Sequence, residues 1–462
     1  MYTATFTASA LFVGTGSVSV LGGSYTNSVG SPGVAGSDTV VINTVPVGTD
    51  WWVQNYSFSG AYPNALMNGD ERGLTGVGTL VGSPGPILGY YMIHRDDAGV
   101  IIGTPKQFSV SGSPFLNYYG TSVGAVIAAN YQYVNTSSSG ISIAGVVFST
   151  STDRIQVWNC HDVDGTLLWS RYLPTPNTSS RYHAPAVRGS DGSFYLFTVP
   201  SFNENVWWPE IVKLNSSGAQ QWATGILGGA HQGYGNYSIK LDAADNIHTC
   251  NLSRIDSYPT RYGVTLAKLN SSGTVLWVKN IGMTDHYPDP SHRFGSIGGF
   301  CLDLSTGSSY TVMLGTLLGV NQYICVLKVD SAGSLVWCKQ LAITTNFGIY
   351  LYAGDVCMCG TDIVFGMTDG TATHLVRMNS SGAVVSSVTF QCGSLGMTAN
   401  SHRIVNDGNG NLVVSGIASS YSPPVYTSRG YGVKFPYSLS KVGTWLIADG
   451  MYLTMAASSL SS

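Results

Sequence analysis

Charge is scarce in this chain. Asp, Glu, Lys and Arg make up 10% of its 462 residues, against roughly 25% in an ordinary soluble domain. The 21 basic and 24 acidic residues leave a formal charge of −3. The basic stripe that grips a phosphate backbone is missing, so no nucleic-acid partner is expected. Long apolar runs are missing as well: none reaches the about 18 residues of a transmembrane helix. Nor do the aromatic residues gather in the two girdles of a membrane barrel; they sit in turn-linked motifs. No membrane insertion is therefore expected. The N-terminus, MYTATFTASALFVGTGSVSVLGG, lacks a basic residue ahead of its short apolar stretch and makes a poor secretory signal. Helical periodicity with proper caps is nearly absent. So are the GxSxG, HExxH, phosphate-loop and dinucleotide signatures.

Cysteine is present without a framework. Cys160, Cys250, Cys301, Cys325, Cys338, Cys357, Cys359 and Cys392 are scattered, no CxxC pair occurs, and a chain this long needs no disulfide staples. Cys357 and Cys359 would share one face of a strand. We read the thiols as small buried strand residues of a protein folded in a reducing cytosol. No metal and no cofactor are expected. The loop Asp285-His286-Tyr287-Pro288-Asp289-Pro290-Ser291-His292 holds two carboxylates and two imidazoles, but its prolines make it an exposed turn.

Glycine is abundant, 57 residues against a usual share of roughly 7%, and it recurs in a motif. An apolar run leads to Lys or Arg, an apolar residue, Asn or Asp, two small residues, Gly, and then Trp four positions on. The copies are Lys213-Leu214-Asn215 with Gly218 and Trp222, Lys268-Leu269-Asn270 with Gly273 and Trp277, and Lys328-Val329-Asp330 with Gly333 and Trp337. A further copy keeps Asp162, Gly165 and Trp169; another has Arg377-Met378-Asn379 and Gly382 with Ser386 in the Trp place. Successive glycines are 53, 55, 60 and 49 residues apart, a period that belongs to propellers or solenoids. Each copy reads as a hairpin. Asn or Asp opens the turn on its own backbone, Gly supplies a positive φ, and Trp buries a wide plate between sheets.

A second element interleaves with the first: a turn and a short alternating strand, as at Asp191-Gly192-Ser193-Phe194-Tyr195 and Asn409-Gly410-Asn411-Leu412-Val413. One period then holds four strands, the unit of a propeller blade. The fold expected is all-β: a β-propeller of four-stranded blades, seven by preference with six or eight as the neighbouring counts, and an extended N-terminal arm. Residues 1–37 form that arm, 38–456 the ring and 457–462 a tail. A strand near 447–456 is expected to complete a blade begun by N-terminal strands between residues 38 and 106. Gly69–Pro86 and Ser419–Ser428 read as loops.

Basic and imidazole side chains gather ahead of inner strands: Arg181, His183, His231, His292, Arg293, His402 and Arg403. They outline a polar funnel for an anion, a sugar or a partner loop. Trp207-Trp208 adds aromatic surface outside the motif.

The hairpins resemble those of quinoprotein-type β-propellers, and more closely the Lys-Leu-Asn-x-x-Gly-x-x-x-Trp repeats of bacterial and phage propellers. A sialidase Asp box fits less well, because Trp follows Gly by four residues rather than three. The Gly/Ser/Thr/Tyr-rich, charge-poor character also resembles tailed-phage virion proteins. That resemblance implies a structural, non-enzymatic virion component of tail or capsid surface. It would fold in the host cytoplasm, contact other virion proteins in a symmetric homo-oligomer or ring assembly, and serve in host-receptor attachment. The competing reading is a secreted or surface carbohydrate-binding propeller or glycan hydrolase.

Overall fold

The computed structural model describes residues 13–20, 22–26, 29–43, 53–56, 61–70, 73–81, 87–95, 101–109, 133–136, 141–149, 154–161, 167–175, 186–198, 201–203, 206–207, 209–226, 238–257, 260–282, 292–317, 321–341, 352–368, 373–393, 398–406, 410–422, 425–439, 443–448 and 451–457. Every regular element among them is a β-strand. An antiparallel hairpin comes first, β1 (Val13–Val20) with β2 (Gly36–Asn43), and β2 runs through residue 37. The short strand β3 (Val53–Tyr56) follows.

Blade I is β4 (Ala61–Asp70), β5 (Gly73–Val81), β6 (Ile87–Arg95) and β7 (Ile101–Ser109). Blade II is β8 (Tyr133–Thr136), β9 (Ile141–Ser149), β10 (Arg154–His161) and β11 (Leu167–Thr175). Blade III starts with β12 (Ala186–Arg188) and β13 (Phe194–Thr198). A small extra hairpin follows, β14 (Ser201–Asn203) with β15 (Val206–Trp207), and the blade resumes with β16 (Glu210–Leu214) and β17 (Gln220–Gly225). Blade IV is β18 (Ser238–Leu241), β19 (Ile247–Ser257), β20 (Thr260–Leu269) and β21 (Val275–Gly282). Blade V is β22 (His292–Leu302), β23 (Ser309–Leu317), β24 (Asn321–Val329) and β25 (Leu335–Leu341). Blade VI is β26 (Tyr352–Cys359), β27 (Asp362–Thr368), β28 (Thr373–Met378) and β29 (Val384–Gly393). Blade VII holds β30 (Thr398–Asn406), β31 (Asn411–Ser422) and β32 (Val425–Pro436), and a last hairpin is β33 (Gly443–Ala448) with β34 (Met451–Ala457).

The first strands of the blades touch in cyclic order, β4 to β8, β12, β18, β22, β26, β30 and back to β4. These seven strands therefore line a closed axis, and the architecture is a β-propeller of four-stranded antiparallel blades. Closure differs from the sequence expectation. The N-terminal β3 pairs with β32 as the outer strand of blade VII. The C-terminal β34 pairs with β29, so the last hairpin widens blade VI to six strands. Two expected loops are largely strand. Gly73–Val81 is β5, paired on both edges, and β31 and β32 reach Ser422 and Val425. Alternation in those stretches is masked by small residues, Gly and Ser, which pair by backbone without an apolar face to announce them.

A four-stranded sheet with two apolar faces needs cover on both, and the core is accordingly a series of seams between blades. Trp158, Cys160 and Trp169 of blade II meet Phe194, Leu196 and Leu214 of blade III. Cys250, Leu252 and Leu266 of blade IV meet Ile297, Phe300 and Met313 of blade V. Tyr310, Val312 and Val326 of blade V meet Ile363, Phe365 and Val376 of blade VI. Near the axis the backbones themselves touch. A Cβ on Gly299 of β22 would lie 2.5 Å from Val356 N on β26, so no side chain fits there. Gly299→Ala is expected to cost about 1–3 kcal/mol by overpacking, read as a lower urea midpoint at unchanged slope.

The recurrent hairpin follows the chemistry of its residues. Asn215 Oδ1 accepts from Ser217 N (3.1 Å), Ser217 Oγ (2.8 Å) and Ala219 N (2.8 Å). Gly218, at φ +80°, closes the turn, and the ladder shifts by one residue between Lys213 and Leu214, the signature of a bulge with Gly in the left-handed region. The same shift occurs at Lys268/Leu269, Lys328/Val329 and Arg377/Met378.

Each Trp caps the turn of the next blade. Trp169 Nε1 donates to Ser216 O at 2.9 Å, Trp277 Nε1 to Ser331 O at 3.3 Å and Trp337 Nε1 to Ser380 O at 3.2 Å. The rings of Trp169, Trp222, Trp277 and Trp337 lie beneath Gly218, Gly273, Gly333 and Gly382. Where Ser386 replaces Trp, its Oγ donates to Ser438 O at 3.3 Å, so a hydrogen bond to the next blade survives without the aromatic plate. Gly165 lies outside the described residues.

Candidate functional site at the mouth of the ring

The ring has two unlike ends. First-to-second and third-to-fourth strand turns lie at one end, the floor, because the strands alternate in direction. Second-to-third connections and the passages between blades lie at the other, the mouth. All seven innermost strands run from mouth to floor.

Tight turns and ion pairs occupy the floor. Asp242 accepts from Ala244 N (3.0 Å), Asn246 N (2.9 Å), Asn246 Nδ2 (2.9 Å) and Lys268 Nζ (3.0 Å). Burial alone would raise its carboxyl; these bonds overcome that and hold it far below the usual carboxylate range. Buried His248 lies 3.3 Å from the same carboxylate. A carboxylate only accepts, so Nε2 carries the proton. Burial lowers His248 below the ordinary imidazole value, and the contact is a hydrogen bond from neutral histidine. In blade III Lys213 Nζ bonds Asp191 Oδ2 at 3.1 Å and lies 5.0 Å from the Tyr195 ring centre. In blade VI Arg377 Nε bonds Asp362 Oδ2 at 2.8 Å. Asp245 of blade IV, at φ +56°, binds Ser190 of blade III through its amide and hydroxyl. Each of these groups, among the described residues, is taken up by a turn or a seam.

Four of the seven residues of the expected funnel lie on described strands. Arg181, His183 and His231 lie outside the described residues, as do Asp285 to Ser291. Backbone alone places the other four. His292 and Arg293 open β22 at the mouth, while His402 and Arg403 lie farther along β30. Depth follows from contacts between inner strands. Gly299 abuts Asp355 and Val356, Ile404 N donates to Asp355 Oδ2 at 3.4 Å, and Asn406 Nδ2 donates to Met358 O at 2.9 Å. Arg403 therefore stands beside the Asp355 level, whereas Arg293 stands well toward the mouth. The basic positions form two tiers on the wall, with β26 between them.

Sequence reading missed Glu210. It begins β16 at the mouth end, directly after the extra hairpin whose second strand carries Trp207. Glu210 is half-buried, and Thr198 Oγ1 donates to its Oε2 at 3.3 Å. Burial pushes its carboxyl above the usual range, and the Thr198 bond offsets only part of that. A carboxyl raised in this way is suited to donate a proton or a hydrogen bond. The available signal was its position between Trp207-Trp208-Pro209 and the apolar strand Ile211-Val212.

Cys160, Cys250, Cys301 and Cys325 are buried in the seams, whereas Cys338 and Cys357 are only partly buried. Cys357 Sγ and Cys359 Sγ lie 3.8 Å apart on β26. Burial raises the Cys250 thiol to about 12 and pushes Cys301 higher still, so both stay protonated and unreactive.

No protein-family model and no curated protein matches the sequence. Solved structures do. The β-propeller domain of the Trilobed protease from Pyrococcus furiosus aligns at TM-score 0.43 and 7% identity, over 80% of this chain and 96% of that one. An α-L-arabinofuranosidase from Fusarium graminearum aligns at 0.41 and 10%, over 66% and 92%. An apocarotenoid oxygenase from Synechocystis aligns at 0.35 and 9%, over 66% and 67%. The aligned structures include an arabinofuranosidase and an oxygenase, and none of the three is a virion protein; the expected non-enzymatic virion component of a bacteriophage tail, with its role in host attachment, is not kept. The likeness reaches the fold and no finer class of repeat: this chain is an all-β propeller of four-stranded blades.

Proposed function

We propose that this propeller binds a hydroxyl-rich glycan at the mouth of its ring. The observation that carries the reading is the extra hairpin β14–β15 at the mouth end of blade III, whose second strand ends at Trp207, shortly before half-buried Glu210 at the start of β16. Sugar rings present apolar C–H faces that aromatic plates cover and hydroxyls that neutral polar groups bond. The composition suits such a ligand: 27 Tyr and 10 Trp with 10% charged residues. The innermost strands β22 and β30 also carry donor-bearing residue types, His292 and Arg293 on the first and His402 and Arg403 on the second.

Hydrolysis is the second reading, favoured by the raised Glu210 carboxyl alone. A glycosidase needs one protonated carboxyl as acid and a second carboxylate across the bond. Glu210 fits the first role.

The test is a glycan-binding screen with purified protein, followed by titration of the best ligand. Trp207→Ala is expected to weaken binding about tenfold or more, with the melting temperature little changed. Glu210→Gln is expected to preserve binding. If the ligand is also cleaved, Glu210→Gln abolishes cleavage, and the wild-type rate falls as pH rises through the elevated Glu210 value, because the acid form is then lost. Binding unaffected by Trp207→Ala would sink the site.

A further inference from the structure

We propose that Cys357 and Cys359, at the floor end of the innermost strand of blade VI, are a modifiable dithiol. A small-molecule disulfide closes it into an intramolecular disulfide and thereby loosens the seam to blade VII. The two thiols flank Met358 on β26, and their sulfurs lie 3.8 Å apart. Strand residues two apart share a face. Val356 and Met358 pack on the blade V side, so the two cysteines take the opposite face. Cys359 is 3% exposed, whereas Cys357 is only partly buried and gives a reagent its point of entry.

The pair stands at a strand end rather than in mid-strand. Cys359 pairs with Asp362 across a tight turn, and Gly360 in that turn has φ +64°. An extended strand separates the Cα atoms of residues two apart by about 6.6 Å, near the upper end of the roughly 4.4–6.8 Å that a disulfide bridges. Closure therefore draws the two Cα atoms together and folds β26 more tightly around Met358. Met358 O is the acceptor of Asn406 Nδ2 on β30, at 2.9 Å. A shift of that carbonyl weakens a hydrogen bond tying blade VI to blade VII.

The chemistry is thiol–disulfide exchange. The Cys357 thiolate attacks one sulfur of the reagent, and the reagent's other sulfur leaves as a thiolate. The Cys359 thiolate then attacks the Cys357 sulfur of that mixed disulfide and expels the second small thiolate. Two protein thiols are oxidised, one reagent disulfide is reduced to two thiols, and the two protons pass to the released thiolates. Contact with Cys359 and burial push the Cys357 thiol up, so the reduced pair rests protonated and closes only with oxidant in excess. The site depends on β26 and its neighbours alone and is independent of any glycan.

The test is to incubate the full chain with excess oxidised glutathione, then denature and alkylate it without reduction. Trypsin releases residues 340–377, a peptide whose only cysteines are Cys357 and Cys359. Expected is a peptide lighter by two hydrogens with neither thiol alkylated, returned to the dialkylated form when dithiothreitol precedes alkylation. Oxidised wild type should melt about 2 °C or more below reduced wild type, and Cys357→Ala should lose that gap. A dialkylated peptide, a peptide that keeps one glutathione, or Cys359 linked to Cys301 would each overturn the proposal. A disulfide formed without a melting shift would overturn the loosening of the seam. If Cys357→Ala fails to fold, the wild-type peptide mass and the two wild-type melting curves still decide.

Discussion

Trp169→Ala is expected to lower stability by about 3–5 kcal/mol, the range for truncating a large buried aromatic. Trp169 is 8% exposed. Its ring meets Phe194 edge-on, with centroids 5.4 Å apart, and Nε1 bonds Ser216 O across the seam. Removing the indole opens a cavity between blades II and III and strands a carbonyl. Equilibrium urea unfolding measures the loss. The partner change is Gly218→Ala. At φ +80° an added Cβ is strained, and it would also stand 2.8 Å from the Trp169 ring. Combining the two should cost less than their sum, because the second source of strain vanishes with the indole. Strict additivity would mean that the ring and the turn do not press on each other. Arg171 lends a further grip, donating to Gly218 O at 3.0 Å and Ser217 O at 2.8 Å.

A second large effect is expected on the floor of blade IV. Asp242→Asn leaves Lys268 without its anion and should cost about 2–3 kcal/mol at neutral pH. The pH dependence carries the diagnosis. The Asp242 carboxyl is depressed in the folded chain, so the unfolded chain takes up a proton first as acid is added. Its stabilisation is complete above the ordinary carboxylate value of about 4 and drains away as pH falls toward the folded value. His248 is depressed as well. Its contribution is full above about pH 6.5 and is lost as pH falls through its folded value. Wild type should therefore weaken in two stages on acidification. Asp242→Asn should shrink the lower stage. It should not erase it, because the Asp191 and Asp303 carboxyls are also held low by turn hydrogen bonds that outweigh their burial. A stability profile of the variant parallel to wild type below pH 5 would show that Asp242 is not the group responsible.

These two sites explain why much of the fold was legible. The Asn215-to-Gly218 turn is local chemistry: a side-chain acceptor, a left-handed residue and a one-residue bulge lie within a few positions of one another. Repeating that unit at blade length implies a stack of sheets, and Trp at a constant offset implies a plate between them. The floor acids were visible only as turn residues. Their partners, Lys268 for Asp242 and Lys213 for Asp191, stand on a strand two places across the sheet, a distance that register decides.

Closure of the ring was not legible, because strand exchange depends on which edges remain open after folding. β3 and β34 are short strands of ordinary composition, and either fits either edge by local propensity. An open edge of backbone donors and acceptors takes the strand that reaches it. Here β3 reached β32 and β34 reached β29.

By itself, then, the sequence determined an all-β chain of blade-length repeats with Gly-closed hairpins and Trp plates, because those properties arise from residues close together in the chain. The tertiary structure alone decided how the ring closes, at what depth Arg293 and Arg403 stand, and that Glu210 is half-buried beside Thr198. Each of those facts is a relation between segments about one blade or more apart or a matter of burial, and burial belongs to the assembled seam rather than to any strand within it.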